Sequence, residues 1–472
     1  MRRTPILLFS LLAGTATSLL LENGCGEDSQ DHILADKFQH IVIIFQENRS
    51  PDNLFHDPIL IKAGADIASV GVNSEGQSVT LQPESLATFY DPDHSHKAFT
   101  SMYNGGKMNG ANKVSIVCYI APCPSAEGTF RYVRQSDVEP YFRMAEEYTF
   151  GDRMFQTNQG PSFPAHQFII SGTSAPSPKS KSFVADNAQH APDAGDDTGC
   201  TAPAEEFVGV IDAHGHESFM FPCTDHPTLT DELNKHSISW KYYTPSAGSL
   251  WTAPNAIEHM CGPDAPPPHA TACVGPDWKE HVVLYSPQNP APILTDIANS
   301  QLPTVSWVIP AGKNSDHAGG SYAAPNNGGP SWVASIVNAI GNTQYWAHTA
   351  IIVTWDDWGG WYDHVPPFKV VNDGVSWGSG YVYGFRVPLI VISPYARPAY
   401  ISHVNHDFGS ILHMVEENFG LPSLGYADSY ADDLSDCFNF HQQPLAFQTI
   451  DAPLKADYFL HDKTPPTDPD DD

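Results

Sequence analysis

The stretch His40-Ile-Val-Ile-Ile-Phe45, followed at once by Gln46-Glu47-Asn48-Arg49, decides how the chain is read. Its apolar residues are mostly β-branched and run without alternation, the pattern of a strand buried on both faces. The polar residues that follow mark its end. Three further runs share this character: Val305-Ser-Trp-Val-Ile309, Thr349-Ala-Ile-Ile-Val-Thr354 and Val387-Pro-Leu-Ile-Val-Ile-Ser393. The first leads to Ser315-Asp316-His317 and the second to Asp356-Asp357. Helical patterns lie between them at Trp332 to Ile340 and after them at Phe408 to Phe419. The alternation predicts an α/β protein, a three-layer α/β/α sandwich with a mostly parallel central sheet. In open sheets of this kind ligands bind beyond the carboxyl ends of the strands, where the polar clusters fall.

The chain has 472 residues with 23 Lys+Arg against 54 Asp+Glu, a formal net charge of −31. Basic stripes neutralise phosphates in nucleic-acid binders, so this balance argues against such a partner. At 41% hydrophobic residues the chain can build a large core, while 35 Gly and 41 Pro leave much of it in loops. Arg2-Arg3 before the apolar run Ile6 to Leu21 reads as an export signal over residues 1–25. Cys25 stands near the place for a lipid anchor, although Glu22-Asn23-Gly24 before it is a poor bacterial lipobox. The protein is therefore expected to be secreted, periplasmic or lipid-anchored at the envelope. In an exported chain, eight cysteines read as disulfides, and close spacing favours Cys118/Cys123, Cys200/Cys223 and Cys261/Cys273, leaving Cys25 and Cys437 over. A catalytic domain over 36–445 is expected, with a loop-rich, disulfide-stapled insertion or cap at about 175–290. The tail over 463–472 is an acidic Pro/Asp run expected to be disordered.

Several residues could carry chemistry, each with a plainer alternative. Glu47 and Asn48 offer adjacent oxygens for a hard or borderline cation, or form a solvated turn. Asp356 and Asp357, directly after a buried strand, would repel one another unless a cation lay between them; a helix N-cap or a surface acidic turn is the alternative. Ser162, in Asn158-Gln-Gly-Pro-Ser162-Phe-Pro-Ala-His166, lies where a helix could begin and its N–H groups could hold a phosphate, or it is an ordinary N-cap. His166, four residues on, would share its face. Of 22 histidines, those beside acids near strand ends stand out: His94 and His96, His317 next to Asp316, His364, and His406.

Together, Phe38 to Ser50, Gly160-Pro-Ser-Phe-Pro164, Ser306-Trp-Val-Ile-Pro310, Thr354-Trp-Asp-Asp-Trp-Gly-Gly-Trp-Tyr-Asp-His364 and Arg386 to Tyr395 resemble the secreted phosphoesterase family of bacterial phospholipases C and acid phosphatases. The resemblance runs in order from about Phe38 to Phe440 and implies a core similar to alkaline phosphatase. It implies a metal-dependent phosphoric-ester hydrolase with a divalent ion (Zn, Ca, Mn or Mg) on Glu47, Asn48, Asp356 and Asp357. Ser162 would be the nucleophile of a phosphoserine mechanism, with His94 and His317 in contact with phosphate and His317 protonating the leaving alcohol. His96, His166, Asp316 and His364 complete the expected substrate-binding set. Phospholipases C of this group often carry threonine where this chain has Ser162 and Glu where it has Asp357, which tilts the expectation toward an acid-phosphatase-like member. The alternatives are a phospholipase C acting on phosphatidylcholine-type lipids and a catalytically inert binding protein of the same fold.

Overall fold

Nine strands form the central sheet: β1 (His40–Gln46), β2 (Thr149–Phe155), β3 (Trp240–Thr244), β4 (Val282–Leu284), β5 (Val305–Val308), β6 (Thr349–Trp355), β7 (Arg386–Ile392), β8 (Tyr400–Ser402) and β9 (His406–Asp407). Their order is β4-β3-β5-β1-β6-β7-β2-β8, with β9 also pairing with β2. This is a computed structural model, and it describes residue 1 and residues 33–189, 197–212, 214–319, 328–368 and 383–467. The export signal, Cys25 and residues 468–472 of the tail lie outside the described residues. Leu34–Asp472 form one unit. Among the described residues no helix is long and apolar enough to cross a membrane.

β1 sits between β5 and β6, parallel to both, with Ile41 opposite Val305 on one side and Ala350 on the other. All seven residues of β6 and of β7 are buried, as are six of the seven in β1. Burying each large aliphatic side chain in these strands contributes about 1.5–3 kcal/mol. β7 is antiparallel to both β6 and β2. β1, β2, β5 and β6 therefore end at one edge of the sheet, and β7 begins there.

Four long helices flank this core: α1 (Gln135–Glu147), α2 (Ser162–Ser171), α3 (Gly328–Gly341) and α4 (Phe408–Phe419). α1 packs on α3, and α2 on α4. The pairs cover opposite faces, because neighbouring residues of β1 point to opposite sides. The Phe45 ring meets Phe408 and His166, whereas the Gln46 amide lies beside Gly329 at the start of α3. The expected three-layer arrangement is observed.

All three expected disulfides form, Cys118–Cys123, Cys200–Cys223 and Cys261–Cys273, and Cys437 is free and buried. The span read as an insertion, 175–290, is divided. A three-stranded sheet of Phe183–Val184, Val208–Ile211 and Glu217–Met220 stands outside the central sheet. β3 and β4, in the same span, belong to the central sheet. Trp240-Lys-Tyr-Tyr-Thr244 is aromatic and partly polar because Lys241 and Tyr243 reach Asp296, so it lacks the aliphatic signature of the inner strands.

Candidate active site

Ser162 opens α2, and its helix buries all ten residues, which is why no amphipathic stripe marks it in the sequence. The N-cap is Pro161, and no side chain caps the helix. Ser162 is thus not spent as a cap. Its hydroxyl instead faces Asp357 Oδ2 at 3.2 Å and Asn48 Oδ1 at 3.5 Å. The turn that presents it is held from three directions. Gln156 Nε2 and Asn158 Nδ2 donate to the Gly160 carbonyl, each at 2.9 Å, and Asn187 Oδ1 accepts from the Phe163 N–H at 2.9 Å.

The strand-end acids are packed away from solvent. Glu47, Asn48, Asp356 and Asp357 are all fully buried, so neither a solvated turn nor a surface acidic turn describes them. Asn48 has φ +63°, a left-handed conformation that asparagine tolerates better than most residues. Its N–H donates to Asp356 Oδ1 at 3.2 Å. Gly359 is required by close approach: its φ is +63°, and a Cβ there would lie 2.3 Å from the Asn48 carbonyl oxygen. Gln156 links the two turns, since its Oε1 accepts from the Trp358 N–H at 3.1 Å while its Nε2 holds Gly160.

His166 joins this group from α2, with Nε2 at 3.5 Å from Glu47 Oε1 and 3.6 Å from Asp356 Oδ2. Its other nitrogen, Nδ1, lies 3.4 Å from the Tyr242 hydroxyl, whose own proton goes to the Trp251 carbonyl at 2.8 Å. Nδ1 must therefore be the donor, and in the neutral ring the Nε2 lone pair faces two carboxylates. Asp356 Oδ2 accepts no hydrogen bond. Glu47, His166 and Asp356 bring one ligand atom each within 4.8 Å of one another. Separations near 3.5 Å are long for hydrogen bonds and are of the order expected between two ligands of one cation. The donor set of carboxylates, an amide oxygen and an imidazole fits a divalent cation.

His94 and His317 form a second group, which touches Asn48 through His94. The Pro92 carbonyl accepts from His94 Nδ1 at 3.1 Å, so Nε2 is the acceptor for the Asn48 amide at 3.1 Å. The His317 ring lies 5.7 Å from that of His94, donates from Nδ1 to the Ala318 carbonyl and has Asp91 Oδ2 at 3.8 Å. Asp91 was not singled out as a site residue in the sequence, although it belongs to the Asp91-Pro-Asp93-His94 string. Asn187 and Gln156 carried no sequence signal, because their roles are bonds to backbone. A cavity of about 720 Å³ opens beside this group, with His94, His96, Pro161, Asp186 and Asn187 in its wall. His96 donates from Nδ1 to the Gln159 carbonyl at 2.7 Å, and Asp186 accepts the His96 N–H at 2.8 Å. Burial pushes Asp186 up to about 6.

Two expected substrate contacts lie elsewhere. Asp316 Oδ2 accepts from the Tyr141 hydroxyl at 2.8 Å and from Trp355 Nε1 at 3.0 Å, and burial raises its carboxyl to about 6. His364 sits between Asp52 Oδ2 at 2.7 Å and Asp66 Oδ1 at 2.9 Å, with a pKa of about 9. Burial alone would lower it; hydrogen bonding and charge from Asp52 outweigh that. This is the edge of a second buried cluster, in which Arg386 donates to both oxygens of Asp363 at 2.9 Å and to Asp52 at 3.2 Å.

A buried hydroxyl, paired carboxylates and histidines at the carboxyl ends of a mostly parallel sheet define a hydrolase-type site on an α/β/α fold. The chain belongs to the Phosphoesterase family, whose model matches residues 38–422, and is a phosphoric-ester hydrolase. "Phospholipase C B" of Mycobacterium tuberculosis is 26% identical over 86% of this chain and 78% of its own. "Non-specific phospholipase C1" of Arabidopsis thaliana is 29% identical over 93% of this chain and 78% of its own. Among solved structures, a protein in the alkaline phosphatase superfamily from Vibrio parahaemolyticus aligns over 90% of this chain and 74% of its own, at 11% identity and a TM-score of 0.37.

Proposed function

We propose that the protein is an exported, divalent-metal-dependent phosphoester hydrolase working through a phosphoserine on Ser162, and that its substrates are phosphodiesters of the phospholipase C type. The observation that carries this is the Ser162 hydroxyl, uninvolved in capping its own helix and turned onto Asp357 and Asn48. Glu47, Asn48, Asp356, Asp357 and His166 would hold the cation, which supplies stabilisation of negative charge on the reacting oxygens. The Ser162 proton has an acceptor in Asp357 Oδ2 as Oγ turns onto phosphorus and the bond from phosphorus to the leaving oxygen breaks. His317 protonates that oxygen, and a positive charge on its ring is favoured by Asp91. Water then attacks the phosphoserine and gives its proton to His317, the bond from phosphorus to Oγ breaks, and Asp357 returns its proton to Oγ, restoring the Ser162 hydroxyl. His94, its tautomer fixed by Pro92, orients the Asn48 amide.

Export is supported by the Arg2-Arg3 and Ile6 to Leu21 pattern. The phospholipase C reading is favoured over the acid-phosphatase-like one by the curated relatives, which carry that name and align over most of this chain. A panel of a phosphomonoester, a soluble phosphodiester and phosphatidylcholine, with and without a chelator, tests the proposal. Turnover of both diesters, lost on chelation and restored by a divalent ion, is expected. Failure on every substrate with added divalent ions would leave the inert-protein reading standing, and preference for the monoester would return the acid-phosphatase reading.

A further inference from the structure

Two segments far apart in the chain bring large apolar side chains to the cavity that His94, His96 and Pro161 line. The short strand Ile116–Cys118 pairs with Tyr90–Pro92, putting Val117 opposite Asp91. Beyond it the Cys118–Cys123 disulfide closes a loop carrying Tyr119 and Ile120. On the other side, the hairpin of Val208–Ile211 and Glu217–Met220 carries Phe219, whose ring packs edge-on against Phe207 at 5.1 Å. Val117 and Phe219 both line the cavity, yet they are 44% and 67% exposed; Tyr119 and Ile120 are 44% and 55% exposed. Single exposed hydrophobic residues are ordinary, whereas here Val117 and Phe219 line one cavity together and Tyr119 and Ile120 follow Val117 within three residues, a concentration of apolar surface of the kind that meets a partner.

Charge selects that partner. The cavity wall behind the rim bears Asp93, Asp186 and Glu217 against Lys97, and the whole chain carries −31. An anionic surface is repelled, while a surface with outward ammonium groups is attracted to these carboxylates. We propose that Val117, Tyr119, Ile120 and Phe219 form a docking rim for a zwitterionic phospholipid layer, seating the cavity mouth on the lipid–water interface. The proposal rests on the phospholipid reading given above. The apolar tips enter the interfacial region, and the disulfide keeps the Tyr119 and Ile120 loop short, so little ordering entropy opposes binding.

The test is co-sedimentation of the full chain with phosphatidylcholine vesicles and with phosphatidylserine-containing vesicles, alongside hydrolysis of a soluble aryl phosphodiester. Wild type is expected to partition onto phosphatidylcholine vesicles, and Ile120→Asp and Phe219→Asp each to reduce partition about tenfold. Ile120 lies outside the cavity lining, so Ile120→Asp should hydrolyse the soluble diester within about twofold of wild type, which also shows that the variant is folded. The rim proposal is overturned if wild type stays in solution, if both variants partition like wild type, or if binding requires phosphatidylserine. It is also overturned if the rim proves to join two copies of the chain, seen as a concentration-dependent dimer that Ile120→Asp dissolves. Binding to phosphatidylcholine vesicles without hydrolysis of their lipid upholds the rim and rejects the phospholipid substrate.

Discussion

The Arg386 cluster and the Ser162 cluster both bury carboxylates at the same edge of the sheet, and each contains a histidine. Around Arg386, the guanidinium spans Asp363 and Asp52, and His364 bridges Asp52 and Asp66. Charge there is balanced by the chain's own cation, and the buried Asp363 finds two short donors. Around Ser162 the geometry is looser. Asp356 Oδ2 has no hydrogen-bond donor, and its separation from His166 Nε2 is 3.6 Å. One cluster is satisfied by protein alone and holds the structure together; the other is spaced for a cation from outside and is where chemistry is proposed. Both groups contain three potential metal ligands, so donor count does not separate them. The resident arginine does.

The largest effect should come from the catalytic side. Ser162→Ala is expected to lower turnover by at least about 10³-fold. Stability should stay within about 1 kcal/mol of wild type, because no cap bond is lost. Activity within about tenfold of wild type, with the fold checked by circular dichroism, would reject Ser162 as nucleophile.

On the structural side, Arg386→Met leaves Asp363 and Asp52 buried without their counter-charge. Urea denaturation should show a loss of about 3–5 kcal/mol. A loss under about 1 kcal/mol would mean that the two clusters do not differ as described.

Asp356→Asn sharpens the contrast because its two effects have opposite signs. Divalent-ion affinity should fall at least about tenfold by calorimetry, about 1.4 kcal/mol. In chelator, the variant should melt at or above the temperature of wild type, since one buried negative charge has gone. Unchanged affinity, or a lower melting point than wild type in chelator, would contradict a cation site here.

The smallest effect concerns pH. His364 titrates near 9 in the folded protein, above its unfolded value of about 6.5. Its ion pairs therefore contribute fully below about pH 6.5, and the contribution is lost as pH rises through 9. Wild type should lose about 1–2 kcal/mol across that window after allowance for its exposed edge, and His364→Gln should show a flatter profile. Parallel profiles would remove His364 from the structural cluster.

What the sequence made legible follows the same division. Inner strands such as His40–Gln46 and Thr349–Trp355 are buried on both faces, so their apolar runs announce them. The strand Trp240–Thr244, which lies between β4 and β5, could not be read this way, because Lys241 and Tyr243 pair with Asp296 and break the apolar run. In the site, Glu47, Asn48, Ser162, Asp356 and Asp357 were visible because each directly ends a strand or opens a helix. Asp316 and His364 looked equivalent to them, since adjacency in sequence does not show whether a neighbouring Tyr141 or Asp52 already satisfies the group. Gln156 joins the Gly160 carbonyl to the distant Trp358 N–H, and Asn187 holds the Phe163 N–H from across the chain, and no local pattern encodes those bonds.

In the proposed reaction Ser162 carries the phosphoryl group between the two displacements. Rapid acid quench of the metal-replete protein during turnover of a phosphodiester, followed by peptide mass spectrometry, tests it directly. A phosphorylated peptide with the modification on Ser162 is expected, formed in a burst and absent in Ser162→Ala. Turnover without any covalent adduct, or an adduct located on His94 or His317, would contradict it.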